Sequence, residues 1–148
     1  MTKYFFSILL LFGLISTFAC QQDKTTNEAT ETDSSLAEFE AFYDRFHLDS
    51  LYQMEHITFP LEGIPAQADS ATLTDNAFRW QKDEWRMHRP FNRYDNNFQR
   101  EFLPVGKTMI VEKITDAKTG FSMTRRFAKL DENWYLIYYA GMNMLVTG

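Results

Sequence analysis

Residues 108–140 read TMIVEKITDAKTGFSMTRRFAKLDENWYLIYYA and contain three strand-like runs, at 108–115, 121–130 and 134–140. Each run is rich in the β-branched and aromatic residues that strands favour. The loops DAKTG (116–120) and DEN (131–133) separate them, with Asn133 expected to take the left-handed backbone of a short turn. The stretch therefore predicts an antiparallel meander. Its last run is apolar on both faces, which predicts a central strand.

Two helices are predicted before this sheet. Ser35 and Glu38 have the spacing of a capping box, so the first helix is expected to begin at Ser35. Large apolar residues then recur at helical spacing and predict a stripe that packs into the core. The stripe consists of Leu36, Phe39, Phe42, Tyr43 and Phe46. Asp49 can cap a second, short helix.

The middle of the chain gives weaker patterns. Pro60 restricts Phe59 to extended backbone, so residues 56–61 are expected to be extended. Residues 63–75 are expected to form a loop. Phe78 and Trp80 alternate as in a strand, and residues 82–88 are expected to form a short helix before Pro90. With an extended segment at 98–105, the whole order predicts an α+β fold, in which N-terminal helices pack on a curved antiparallel sheet.

The N-terminus has the layout of a secretory signal. Lys3 precedes an apolar run at 4–19 that ends in Ala19, immediately before Cys20, the only cysteine of the chain. We predict a signal peptide at 1–19, lipid attachment at Cys20, a flexible tether at 20–34 and a single domain at 35–148. The predicted location is the bacterial cell envelope, on the outer membrane in preference to the inner. Ordinary cleavage after Ala19 and an uncleaved anchor are the alternatives.

The order of elements, the run Phe59-Pro60-Leu61 and the terminal WYLIYY (134–139) together carry a family resemblance. Over roughly residues 36–144 the chain resembles the small Bacteroidota-type lipoproteins of domain of unknown function 4348, which are similar in fold to the nuclear transport factor 2 (NTF2) superfamily. The resemblance implies a cone in which helices pack on the concave face of a bent sheet. It also implies a pocket at the open end and, in many members, a homodimer through the sheet.

Charge and motifs narrow the possible partners. The formal net charge is −5, and it becomes −6 when Lys3 is removed with the signal peptide, so nucleic acid is not an expected partner. The three histidines lack metal-ligand spacing, and no cofactor-binding motif is present, so no metal and no cofactor is predicted. We expect a membrane-anchored, non-catalytic module for ligand binding or assembly.

Three residues are candidates for binding a small molecule or sugar: Trp85, Arg125 and Tyr138. Tryptophan and tyrosine rings combine a stacking surface with a polar tip, which suits amphipathic ligands and also a dimer interface. Arg125 interrupts the apolar face of its strand, where an unpaired charge would be costly. An ion pair with an acid such as Glu112 is the favoured explanation, and an anionic ligand is the alternative.

The alternative function is an enzyme of the cone fold. Such enzymes typically place an acid–base residue inside the pocket, and His56 is the best-placed candidate. Asp49 or Glu55 could orient its ring. A single histidine with an unplaced acid is a weak catalytic signal, so binding is preferred over catalysis.

Overall fold

The computed structural model describes residues 24–92, 94 and 97–144, with side chains from residue 36 onward. Within these residues, helices come first and a six-stranded sheet follows. The helices are α1 (Lys24–Leu48), α2 (Ser50–Glu55) and α3 (Ser70–Asp75), and the strands are β1 (Ile57–Ile64), β2 (Arg79–Trp80), β3 (Phe98–Val105), β4 (Met109–Asp116), β5 (Phe121–Leu130) and β6 (Asn133–Met144). The predicted signal peptide and Cys20 lie outside the described residues.

The sheet has the order β2-β1-β6-β5-β4-β3. Its second half is the predicted antiparallel meander, because β4 pairs with β5 and β5 with β6 in antiparallel register. Strand β6 is central, as its apolar residues on both faces predict. It pairs on its other side with β1 in parallel, so the sheet is mixed and not wholly antiparallel as expected. Register shifts along β5 at Ser122/Thr124 and Arg126/Phe127 accompany the curvature of the sheet.

Helix α1 packs against one face of the sheet and carries the predicted stripe. Phe39 and Phe46 are fully buried, and both rings contact the ring of Phe127 on β5 edge-to-face. Burying an aromatic side chain of this kind stabilises a fold by about 2–3 kcal/mol, so the stripe anchors the helix. The helix nevertheless begins at Lys24, eleven residues before the predicted start at Ser35. Once a helix is nucleated by packing, each added residue gains a hydrogen bond, so it extends past a possible cap.

The connection between β1 and β2 differs from the expected loop. Gly63 and Ile64 belong to β1, and residues 70–75 form α3, whose N-terminus is capped by the carboxylate of Asp69. The short helix expected at residues 82–88 is absent, and a turn leads into an irregular segment. The reason is tertiary, since the His88 amide donates to the side chain of Gln53 and not to a carbonyl of its own segment.

The two hairpin turns of the meander form where they were predicted, but in the second turn a different residue has the left-handed backbone. In the first, Asp116 accepts hydrogen bonds from the amides of Lys118 and Thr119, and Gly120 has a φ of 75°. In the second, Asp131 has the left-handed backbone, with a φ of 53°, while Asn133 already begins β6. Both aspartate and asparagine tolerate this conformation, so the pattern predicted the turn but not the position within it.

Candidate functional site

An aromatic groove opens beside the β2 edge of the sheet. The cavity measures about 200 Å³ and lies between β2, the irregular segment at 84–88, and β6. The lining residues, which define the aromatic groove, are Trp80, Glu84, Trp85, Arg86, Met87, His88 and Tyr139. Four rings of this set contact one another, with centroid separations from 4.5 to 6.2 Å. The groove is therefore a stacking surface with polar groups at its rim.

Trp80 is held in the groove by a hydrogen bond that crosses a strand. Its indole Nε1 donates to the carbonyl oxygen of Tyr139 at 2.9 Å, and β1 lies between the two. This hydrogen bond can pass over β1 because Gly63, the β1 residue that lies between the two groups, has no side chain. A Cβ atom there would lie 2.0 Å from the Tyr139 oxygen and 2.6 Å from the Trp80 nitrogen. Sequence reasoning placed Gly63 in a loop and missed this role.

Gln53 fastens the other wall of the groove. Its side chain is 1% exposed, and its Nε2 donates to the carbonyl oxygens of Phe46 at 2.7 Å and His88 at 3.0 Å. Its Oε1 accepts from the His88 amide at 2.8 Å and from the Trp85 indole at 3.3 Å. The side-chain amide of Gln53 therefore makes two hydrogen bonds as a donor and two as an acceptor, which is its full capacity. These bonds connect α2 both to α1 and to the segment that carries Trp85. Nothing in the local sequence singles out Gln53.

A buried ionic cluster lies next to the groove, between α1 and the sheet. Arg125 on β5 donates to Glu112 on β4 at 2.8 Å, and the two residues are 5% and 0% exposed. The Tyr43 hydroxyl donates to the second oxygen of the same carboxylate at 2.5 Å. The ion pair proposed from the sequence is therefore present. Burial and the neighbouring Glu112 carboxylate raise the pKa of Tyr43 well above its usual value, which keeps its hydroxyl protonated.

His47 completes the ionic cluster as a neutral ring. Its Nδ1 lies 2.8 Å from the carbonyl oxygen of Tyr43, and its Nε2 lies 3.1 Å from Arg125 Nη1. A carbonyl can only accept and a guanidinium can only donate, so Nδ1 carries the proton and Nε2 accepts. Burial, and then the positive charge of Arg125, lower the pKa of His47 to about 4. With its lone pair already engaged, His47 is positioned as a structural acceptor and not as a base.

Two buried polar atoms near the groove have no hydrogen-bond partner. They are Nδ1 of His88 and Nε of Arg125. Both residues adjoin Tyr139, because the His88 ring lies 4.5 Å from the Tyr139 ring and Arg125 pairs with Tyr139 across the β5–β6 ladder. Burial, followed by the charge of Arg125, lowers the pKa of His88 to about 2, so its ring is neutral. Unpaired buried polar atoms are rare in folded proteins and call for an explanation.

The structure brings two of the three predicted binding residues to this region. Trp85 lines the groove and is 9% exposed, and Arg125 lies behind Tyr139 in the ionic cluster. Tyr138 follows Tyr139 in β6 and pairs with Arg126, so it lies on the opposite face of the sheet. There the guanidinium carbon of Arg126 sits 4.2 Å from the centre of the Tyr138 ring. Tyr138 cannot contact a molecule held between Trp85 and Tyr139.

His56, the candidate base, lies outside the aromatic groove, with its ring between those of Tyr52 and Tyr135. Its ring stacks on Tyr52 at 3.8 Å, and its Nδ1 lies 2.8 Å from the Tyr52 carbonyl oxygen. The Asp49 carboxylate accepts hydrogen bonds from the amides of Leu51 and Tyr52 as the cap of α2. It therefore binds the helix N-terminus and not the imidazole of His56. His56 is not among the residues that line the aromatic groove.

Neither a metal cluster nor a membrane-spanning helix is found in the part of the chain that the structure describes. No group of three or more histidine, cysteine or acidic side chains there could hold a metal ion. No helix in residues 24–92 and 97–144 is both long and apolar enough to cross a bilayer. The lining of the aromatic groove combines stacking rings with the charged side chains of Glu84 and Arg86.

Comparison with known proteins shows a likeness of fold. No family model matches the chain, and no curated protein matches it. A cystatin-like protein from Bacteroides caccae matches with a TM-score of 0.51 at 17% identity, over 73% of this chain and 80% of that one. An NTF2-like protein from Bacteroides fragilis has a TM-score of 0.49 at 17% identity over 70% of this chain, which spans only 46% of that protein's length.

An NTF2-like protein of unknown function from Shewanella baltica has a TM-score of 0.34 at 12% identity, over 84% of this chain and all of that one. At such identities a structural match speaks for the fold alone. The structure itself has the α+β fold predicted from the sequence, with an N-terminal helix packed on a curved, mixed six-stranded sheet.

Proposed function

We propose that this chain is a lipid-anchored envelope protein of the domain of unknown function 4348 type, within the NTF2-like superfamily, and that its domain binds a small ligand in the aromatic groove. The anchor is supported by the signal layout that ends at Cys20. The binding role is supported by the groove itself, which combines four aromatic rings with convergent polar groups. Catalysis is not part of the proposal.

The binding role rests on one observation: two rings of the groove are fixed by hydrogen bonds that keep the cavity between them open. Trp80 is fixed by the Tyr139 carbonyl oxygen, and Trp85 by Gln53. Neither indole N–H donates a hydrogen bond across the cavity, and neither ring can rotate into the cavity without breaking its hydrogen bond. A site that is already ordered loses less side-chain entropy when a ligand binds, which raises affinity.

The enzyme alternative has less support. It needs a histidine that faces a cavity and an acid that orients it. His56 instead hydrogen-bonds a backbone carbonyl, and the proposed partner Asp49 caps a helix. We therefore prefer a binding module.

Ligand binding can be tested by NMR on the protein labelled with 15N. The indole N–H signals of Trp80 and Trp85 report the groove, and that of Trp134 is an internal control because Trp134 lies outside the groove lining. A panel of sugars, amino acids, short-chain lipids and aromatic alcohols is added at millimolar concentration. We expect at least one class to shift the Trp80 and Trp85 signals and to leave Trp134 in place. Unmoved Trp80 and Trp85 signals across the whole panel would contradict the binding role.

The anchor is tested separately in cells. Metabolic labelling with a tagged fatty acid should mark the wild-type protein and should not mark Cys20→Ser, because the chain has one cysteine. Fractionation of the labelled cells should place the wild-type protein with the outer membrane. Equal labelling of the two proteins would show that Cys20 is not the attachment point.

A further inference from the structure

We infer that the aromatic groove binds a small zwitterion with an apolar side chain, of the free amino acid class, whose carboxylate contacts Arg86 and whose ammonium group contacts Glu84. This inference rests on the proposed function and assigns the ligand class of the same groove. It is carried by the two opposite charges in the lining, by the ring faces beside them, and by the volume of the cavity.

The lining of the groove contains two charged side chains of opposite sign. Glu84 and Arg86 both line the cavity, and both are exposed to solvent. Neither forms an ion pair with another residue in the part of the chain that the structure describes. A guanidinium binds a carboxylate through two parallel hydrogen bonds, and a carboxylate accepts hydrogen bonds from an ammonium group. The groove therefore presents one unpaired group for each half of a zwitterion.

The spacing of these two side chains suits opposite charges that are carried on one ligand carbon. A single residue separates Glu84 from Arg86, so their Cα atoms lie at most about 7 Å apart. An anion alone would be attracted by Arg86 and repelled by Glu84, and a cation alone would meet the reverse. A zwitterion makes both attractive contacts, which favours it over a ligand with a single charge.

The aromatic rings supply the apolar part of the site. The rings of Trp80 and Trp85 meet at 86° with their centroids 6.2 Å apart, and the ring of Tyr139 lies 5.2 Å from that of Trp80. Both indole N–H groups already donate, to the Tyr139 carbonyl oxygen and to Gln53, so the rings offer their faces to a ligand. Such faces pack against an aliphatic or aromatic side chain, and a tryptophan face also attracts an ammonium group.

The volume of the groove limits the size of the ligand. At about 200 Å³ it lies below the range of about 300–1,000 Å³ for sites that hold drug-sized molecules. The groove therefore fits one amino acid, with its side chain against the rings and its charged groups at the exposed rim.

The inference is tested with ligands that share one ring and differ in charge. They are phenylalanine, its cationic amide, the anion phenylpropionate and the neutral phenylpropionamide, each titrated while the Trp80 and Trp85 indole signals are followed by NMR. Phenylalanine should bind about fivefold more tightly than the cation or the anion, which corresponds to about 1 kcal/mol for one exposed charge contact. Glycine, which has both charges and no apolar side chain, should bind more weakly than phenylalanine. Equal affinity for phenylalanine and the neutral phenylpropionamide would overturn the inference.

Two variants assign each charge contact. Arg86→Gln should weaken phenylalanine and phenylpropionate about fivefold and should not weaken the cationic amide. Glu84→Gln should weaken phenylalanine and the cationic amide and should not weaken phenylpropionate. This crossed pattern distinguishes charge contacts from a general loosening of the groove, which would weaken all the ligands alike.

The matched control variants are Arg89→Gln and Asp83→Asn. Both residues are exposed neighbours of the same charge types that do not line the groove, so both variants should keep the wild-type affinities. The four substitutions are at exposed positions, and all four variants should keep the melting temperature of the wild type. If phenylalanine binds Arg86→Gln and Glu84→Gln as tightly as it binds the wild type, the assigned contacts are wrong.

The outcomes also separate the inference from the proposed function. If aromatic alcohols, sugars or lipids shift the Trp80 and Trp85 signals while no amino acid does, the groove binds ligands but the assigned class is wrong. If no compound shifts them, both fail. Raising the salt concentration from about 0.15 M to about 1 M shortens the screening length from about 8 Å to about 3 Å, so the affinity for phenylalanine should fall towards that of the neutral phenylpropionamide. An advantage of phenylalanine that persists unchanged in 1 M salt would contradict the charge contacts.

Discussion

Gln53→Leu is the substitution that most directly tests how the groove is built. Leucine has a similar volume and keeps the helix, but it can neither donate to the Phe46 and His88 carbonyl oxygens nor accept from the His88 amide and the Trp85 indole. The four partners lose a bond at once. We expect Trp85 and His88 to move away from their places at the groove wall.

The expected loss of stability follows from the number of bonds. Each buried hydrogen bond contributes about 1 kcal/mol net, so four bonds amount to about 4 kcal/mol. The greater hydrophobicity of leucine and access of water to partly exposed His88 reduce this to about 3 kcal/mol. Domains are stable by only about 5–15 kcal/mol, so the variant should remain folded but be clearly weakened. At about 4 °C per kcal/mol, the melting temperature should fall by about 12 °C.

Urea unfolding followed by tryptophan fluorescence measures the free energy, and near-ultraviolet circular dichroism reports the packing of Trp85. The control is Gln81→Leu, since Gln81 is exposed and makes one long bond of 3.4 Å to the Arg79 carbonyl oxygen. It should stay within about 0.5 kcal/mol of wild type. If Gln53→Leu also stays within that margin and keeps the near-ultraviolet signal, the four bonds do not hold the groove wall.

A second pair of predictions concerns close packing and pH. Gly63→Ala should lower the free energy of unfolding by about 1–3 kcal/mol and shift the Trp80 indole NMR signal, because the new Cβ would meet Tyr139 O at 2.0 Å and Trp80 Nε1 at 2.6 Å. Gly106→Ala, where a Cβ meets nothing within 4 Å, should leave that signal in place. An unmoved signal in Gly63→Ala would refute the hydrogen bond from Trp80 to Tyr139 across β1. The pKa values of His47 and His88 are lowered on folding to about 4 and about 2, so below pH 6.5 the unfolded chain binds protons that the folded chain does not, and stability falls as the pH falls. Between pH 6.5 and 5.5 each histidine should remove about 1 kcal/mol, so the free energy of unfolding, measured with urea, should depend on pH about half as steeply in His88→Phe as in wild type. A flat profile for wild type would contradict the neutral, buried state of the two rings.

Much of the fold could be predicted from local patterns. The stripe from Leu36 to Phe46 has a period of 3.6 residues, and the last three strands alternate between short turns, so each element follows from a repeating arrangement of apolar residues. The central place of β6 also follows, because a strand that is apolar on both faces has to be covered on both sides. The start of α1 and the parallel pairing of β1 with β6 do not follow, since they depend on partners far along the chain.

The candidate site was predictable only in part. An arginine on an apolar strand face requires a partner, and Glu112 on the neighbouring strand was the one proposed. Trp85 stood out by its residue type. Tyr138 was chosen for the same reason, but a register shift between β5 and β6 next to it decides which neighbours face the core, and such a shift leaves no trace in the pattern.

The sequence by itself determined the large-scale order of this protein: an N-terminal amphipathic helix, a C-terminal antiparallel meander, and an α+β domain built from them. Local spacing of apolar residues is enough for that, because burial of one helix stripe and of the sheet faces dominates the free energy of folding. Only the tertiary structure decided that Gln53, Gly63, His88 and Tyr139 meet at one groove. They come from four separate segments, and their contacts depend on single hydrogen bonds and on one absent Cβ atom, which no pattern of residue types records.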